Sequence, residues 1–132
     1  MKIVLVLSAL MLVFTSCKKD DDKNNDPNSE STLIRYTIQP IDDNIINVRY
    51  KNQNGILIIE PDSIQFADGS YQFSVPSLPF AAKVGLLFND NAFSIEKYEV
   101  AIYVNGTLKA MDTISNTTNS SVGEGYVEYT VE

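Results

Sequence analysis

Histidine is absent from the 132-residue sequence, and cysteine occurs once, as Cys17. A Ser-His-Asp or Cys-His nucleophile system uses imidazole as its general base, and the usual structural zinc sites are built from Cys and His. An intrachain disulfide needs a second cysteine. These absences predict a protein that is not an enzyme and holds no metal or other cofactor. The alternative, an enzyme working with carboxylates and tyrosine hydroxyls alone, would need a deep cleft that gathers them.

Basic residues are the scarcer charge, with 10 Lys and Arg against 17 Asp and Glu, so the formal net charge is −7. An acidic surface repels the phosphates of nucleic acids and the headgroups of anionic lipids. We therefore expect no nucleic-acid partner and no attachment to a membrane by charge.

Residues 1–16 have the features of an export signal. Lys2 precedes the apolar run 3–14, which is shorter than the ~20 residues that span a bilayer. The sequence Phe14-Thr15-Ser16-Cys17 resembles a bacterial lipobox, in which the cysteine sulfur receives a diacylglycerol before the signal is cleaved. We expect Cys17 to be the lipidated first residue of the mature protein, attached to a membrane through its diacylglycerol and acyl groups.

Residues 17–32 are predicted to be a flexible acidic linker. After Cys17 they contain no apolar residue except Pro27, so little burial could offset the entropy cost of ordering them. The run Lys18-Lys19-Asp20-Asp21-Asp22 is similar to surface-export signals of some Gram-negative lipoproteins. It predicts a lipid-anchored protein of the outer membrane that is exposed at the cell surface. A solvated tether on a periplasm-facing or inner-membrane protein is the alternative.

From residue 33 to the end of the chain, apolar residues alternate with polar ones, as in half-buried strands. The strongest turn signals are Asn52–Gly55, Asp68-Gly69 and Asn105-Gly106. Residues 115–125, including Gly123-Glu124-Gly125, are predicted to be a polar, flexible loop before the last strand. The inward positions predicted from parity are Ile34, Tyr36, Ile38, Ile46, Val48, Tyr50, Tyr71, Phe73, Val75, Phe80, Ala82, Val84, Leu86, Phe88, Tyr98, Val100, Ile102, Val104, Val127, Tyr129 and Val131.

Seven to eight short strands without sustained helical periodicity predict one all-β domain over residues 33–132. A small immunoglobulin-like antiparallel β-sandwich, preceded by the signal peptide and the disordered linker, is the expected architecture. A barrel is the alternative. The paired cysteines and the tryptophan of true immunoglobulin domains are absent, so the prediction concerns architecture alone.

Four segments occur in the order typical of one known family: Tyr36-Thr37, Val48–Gly55, Leu78-Pro79-Phe80 and Val100–Gly106. Together they resemble the MmpS-type (mycobacterial membrane protein small) domain, a small extracytoplasmic β-sandwich with hairpins at the second and last segments. The resemblance implies an accessory role beside a membrane transporter that exports lipidic or small molecules. It implies no catalytic residues.

Other residues suggest modification or docking. Ser63 and Thr113 each follow an Asp and precede an Ile, which resembles an O-glycosylation signal of some bacteria; chance occurrence is the alternative. Leu87 and Tyr103 lie opposite the core parity among small residues, so they suggest a docking face for an envelope protein, a transporter or a glycan. The alternative is a face covered by a wider sandwich or by the 115–125 loop.

The lipid anchor is tested by Cys17→Ala. Because acylation needs the cysteine sulfur, the variant should remain as an uncleaved or soluble precursor. It should no longer enter the detergent phase or incorporate labelled fatty acid. A variant that stays membrane-bound and labelled would contradict the lipoprotein prediction.

Overall fold

The computed structural model describes residues 31–61, 64–90, 97–116 and 120–132. The predictions for Cys17, for Lys18 to Asp22 and for Ser63 lie outside the described residues. Within the described part of the chain, no helix is long and apolar enough to cross a membrane.

The described residues form eight antiparallel strands. They are β1 (Thr32–Gln39), β2 (Ile45–Lys51), β3 (Leu57–Pro61), β4 (Ser70–Val75), β5 (Phe80–Asn89), β6 (Lys97–Val104), β7 (Thr107–Ser115) and β8 (Val122–Val131), with a short 3-10 helix at Ile64–Phe66. Two four-stranded sheets are present: sheet A in the order β4-β1-β6-β7 and sheet B in the order β3-β2-β5-β8. The predicted all-β sandwich is confirmed.

The space between the sheets holds the apolar core. The alternating residues of β1, β4, β5 and β6 are buried there, as parity predicts. Six rings extend from one sheet to the other in edge-to-face or tilted contacts: Tyr36, Tyr50, Phe66, Tyr71, Phe73 and Phe80. Such ring pairs add to the stabilisation from apolar burial.

Strand β2 departs from the predicted parity at its first residues. Ile45, and not Ile46, is a core residue, because the register with β5 shifts between Ile45 and Asn47. A β-bulge places one extra residue in a strand and so reverses the side on which the preceding side chains lie. Simple alternation could not reveal that extra residue.

Two hairpins form at the predicted turns. Asn105 and Gly106 have φ values of 49° and 80°, the left-handed conformation that a two-residue hairpin loop with matching twist requires. The backbone N–H of Leu33 donates to Asn105 Oδ1 at 2.8 Å, so this hairpin is also attached to β1. At the β2–β3 turn, Asn52 Oδ1 accepts from the N–H groups of Asn54 and Ile56.

The predicted loop over 115–125 is wrong at its C-terminal end, because β8 already begins at Val122. Gly123 and Gly125 are inward positions of this strand without side chains. A Cβ at Gly123 would collide with the Phe88 ring, and one at Gly125 would lie 2.8 Å from Ile114 Cγ2. Core side chains from β5 and β7 therefore fill the space that inward side chains of β8 would otherwise occupy.

The core assignment is tested on strand β6. Ile102 is fully buried and lies opposite Tyr36 in the register of β1 and β6. Ile102→Asp should destabilise the fold by several kcal/mol, because it buries an unpaired charge. The exposed Glu99 gives the matched control, and Glu99→Lys should change the free energy of unfolding by about 0.5 kcal/mol or less. Equal losses in urea denaturation would contradict the assignment.

Candidate functional site

One row of residues crosses the outer face of sheet B, and three of its members line a groove. In the register of the four strands, Ile59 lies opposite Arg49, Arg49 opposite Gly85, and Gly85 opposite Tyr126. Gly85 contributes no side chain at the centre of this row. The outer face therefore has a depression between Arg49 and Tyr126.

The missing side chain at Gly85 is required by the approach of β8. A Cβ at this position would collide with the carbonyl oxygen of Gly125 and lie 2.6 Å from Tyr126 Cβ. Glycine within a strand commonly marks such a close backbone approach. The absence of a side chain at Gly85 thus allows β8 to pair closely with β5 and also leaves space at the base of the groove.

Arg49 is held above this base by two acceptors. Its Nε donates to Asn47 Oδ1 at 3.0 Å, and its Nη1 lies 3.2 Å from Glu124 Oε2. Because β5 lies between β2 and β8, the ion pair spans β5 across the outer face. The guanidinium and the carboxylate are both partly exposed, so both remain accessible to a ligand.

A second ion pair and an aromatic ring form the other side. Lys83 Nζ lies 2.7 Å from Glu128 Oε1 and 3.7 Å from the centroid of the Tyr126 ring, a cation–π geometry. Tyr126 still exposes 59% of its surface. Exposed ion pairs of this kind contribute little to stability, so groups of a ligand could replace them at small cost to the fold.

The groove encloses about 400 Å³ and is lined by Arg49, Leu57, Lys83, Gly85, Leu86, Glu124, Gly125 and Tyr126. Its apolar parts are Leu57, the glycine base and the tyrosine ring, and its polar groups are two cations and a carboxylate. This volume lies in the range of small-molecule sites. Among residues 31–61, 64–90, 97–116 and 120–132, no three Asp, Glu or Cys side chains are grouped so as to hold a metal ion.

Tyr36 supports the groove from inside the core. Its side chain crosses from sheet A, donates a hydrogen bond to the Lys51 carbonyl at 2.9 Å and accepts one from the Lys83 N–H at 3.3 Å. The last residue pair in the register of β2 and β5 is Tyr50 and Val84. The two hydrogen bonds of Tyr36 join the next residue of each strand, Lys51 of β2 and Lys83 of β5. The hydroxyl therefore fixes the backbone from which the Lys83 side chain extends.

The two residues of the predicted docking face do not meet. Leu87 lies on the outer face of sheet B, two residues from Gly85 on the same strand. Tyr103 lies in sheet A, where Arg35 Cζ is 4.4 Å from its ring centroid. Since the core separates the two sheets, the sequence prediction of one shared surface is wrong.

Thr113, the other predicted glycosylation residue, and Asp42 have simpler positions. Thr113 is exposed on β7, at the edge of sheet A. Asp42 Oδ1 accepts hydrogen bonds from the Asn44 N–H at 3.0 Å and the Tyr98 hydroxyl at 2.8 Å. Asp42 therefore closes a turn and anchors a core tyrosine, which is a structural role.

Sequence reasoning missed Arg49, Glu124 and Tyr126 as site residues. Arg49 was an ordinary outward residue of a predicted strand, and Glu124 fell in the predicted loop. The available signal was the alternation over 122–131, with glycines on the inward positions and Glu124, Tyr126 and Glu128 on the outward ones. Pairing this strand with β5 would have placed Tyr126 beside Gly85.

Comparison of the chain with protein-family models, curated proteins and solved structures finds no match. The function must therefore be argued from the chemistry of the site itself.

Burial raises the pKa of the Tyr36 hydroxyl above its ordinary value of 10.0, and burial together with the charge of Glu60 raises the pKa of Tyr50 to about 12. The folded state thus holds these protons more tightly than the unfolded state does. The resulting stabilisation is fully present below pH 10 and is lost as the pH rises above it.

Tyr36→Phe tests the inter-sheet bridge. Removing the hydroxyl leaves the Lys51 carbonyl and the Lys83 N–H without this partner, which should lower the free energy of unfolding by roughly 1–3 kcal/mol at pH 7. Above pH 10 the free energy of unfolding should fall less steeply than in the parent. Some pH dependence should remain, because the pKa of Tyr50 is also raised. Tyr103→Phe, on the outer face of sheet A, is the control. Equal losses for the two variants in urea denaturation would refute the bridge.

Proposed function

We propose that this protein is a lipid-anchored component of the bacterial cell envelope whose β-sandwich is a non-catalytic binding module. The observation that carries the proposal is the groove on sheet B, to which β2, β3, β5 and β8 all contribute. It presents an exposed aromatic ring beside paired charges, an arrangement suited to recognition.

The predicted anchor fits this role. The lipidated Cys17 fixes the chain to the outer membrane, and the linker up to Thr32 could extend by about 50 Å. A surface-exposed module would then reach a ligand beyond the lipid headgroups. The linker joins the domain at the start of β1, which belongs to sheet A, whereas the groove lies on the outer face of sheet B.

A transporter-accessory role is the second candidate, and one observation favours it. Three of the segments that resemble the MmpS-type domain meet at the end of the sandwich where β1 begins. The β2–β3 turn and residues Pro76 to Ala81 line a shared depression of about 410 Å³, and Asn105 contacts Leu33 there. Leu78 exposes 45% of its surface at the same end, the end at which the linker joins β1.

Photocrosslinking in intact cells distinguishes these roles. A photoreactive residue is placed at Tyr126 in the groove, at Leu78 at the end where β1 begins, or at Tyr103 on sheet A as the control, each in the full-length chain. The binding-module proposal predicts a higher yield of crosslinked products from position 126 than from position 103. These products should disappear when Cys17→Ala is combined with the photoreactive residue.

Adducts from Leu78 with a membrane protein of several spans, and none from Tyr126, would instead support the accessory role. Equal adducts from all three positions, or adducts independent of Cys17, would contradict both proposals.

A further inference from the structure

We propose that the groove on sheet B binds a neutral pyranose unit of a glycan, with the sugar ring packed against Tyr126 and its hydroxyl groups bonded to Arg49, Glu124 and Lys83. This inference rests on the proposed function and names the ligand class for the same site.

The tyrosine ring provides the stacking surface. The face of an aromatic ring carries partial negative charge, and a pyranose presents axial C–H groups that carry partial positive charge. More than half of the Tyr126 surface is open to solvent, and Lys83 Nζ lies 3.7 Å from the ring centroid. Gly85 beside it leaves room for a flat ligand to approach the sheet.

The polar groups match the hydroxyls of a sugar. Each hydroxyl both donates and accepts, and a pair of neighbouring hydroxyls can donate to a carboxylate and accept from a cation. Arg49 and Glu124 present such a pair of groups 3.2 Å apart. Leu57, which exposes 49% of its surface, supplies an apolar contact at the opposite wall.

The charge of the groove favours a neutral sugar over an acidic one. Both cations are already matched by carboxylates, Arg49 by Glu124 and Lys83 by Glu128, on a chain whose net charge is −7. An acidic sugar would have to displace one carboxylate and approach an acidic protein. A neutral sugar exchanges hydrogen bonds without separating net charge.

Isothermal titration calorimetry tests the proposal with neutral hexasaccharides of glucose, galactose, mannose and xylose, and with an oligogalacturonate as the acidic comparator. We expect at least one neutral hexasaccharide to bind. Tyr126→Ala should weaken that binding by about tenfold or more through loss of stacking. Arg49→Gln should weaken it as well, through loss of the charged donor.

Tyr103→Ala, which removes the cation–π tyrosine of the opposite sheet, is the matched control and should bind as the parent does. Thermal unfolding of each variant checks that the fold is intact. The proposal is overturned if no neutral hexasaccharide binds, if only the oligogalacturonate binds, or if Tyr126→Ala binds as tightly as the parent. If crosslinks from Tyr126 form in cells but no neutral sugar binds in calorimetry, the sugar proposal is wrong and the binding-module proposal is not affected.

Discussion

The hydroxyl of Tyr36 is the interaction on which the site depends. It lies between the sheets, where its ring packs against Phe73 at 5.4 Å and Tyr50 at 6.4 Å, and it bonds to the backbone of both β2 and β5. A polar group buried this deeply is tolerated only because its hydrogen bonds are satisfied. One side chain of sheet A thereby links the two central strands of sheet B at one end of their pairing, and these strands carry Arg49, Lys83 and Gly85.

Glycine then shapes what the strands present. The side chains of Phe88 and Ile114 occupy the space that Cβ atoms at Gly123 and Gly125 would need. Strand β8 therefore has no bulky inward residue at its start, and it can pair at the edge of sheet B. Gly85 allows the close approach of β8 on the other face. The outward residues of β8, Glu124 and Tyr126, therefore lie close enough to Arg49 and Lys83 for ion-pair and cation–π contact.

Most strands and both tight hairpins could be predicted from the sequence, because alternation and the Asn-Gly pair act over a few neighbouring residues. The bulge before Asn47 and the start of β8 could not be predicted, because each depends on contacts with a distant strand. Ile45 lies opposite Phe88 of β5. Gly123 and Gly125 of β8 lie against the side chains of Phe88 and Ile114. The groove was missed for the same reason. Its residues come from four strands, and the sequence does not say which strands are neighbours, so Leu87 and Tyr103 were assigned to one face although they lie in different sheets.

The central claim is that the outer face of sheet B is the recognition surface. Amide chemical shifts of the isotope-labelled protein, followed as a neutral hexasaccharide is added, test this residue by residue. The account predicts that the signals of Arg49, Gly85, Glu124 and Tyr126 move together and saturate, while those of Arg35 and Tyr103 on sheet A stay in place. Shifts confined to sheet A, or to the end formed by the β2–β3 turn and Leu78, would contradict it.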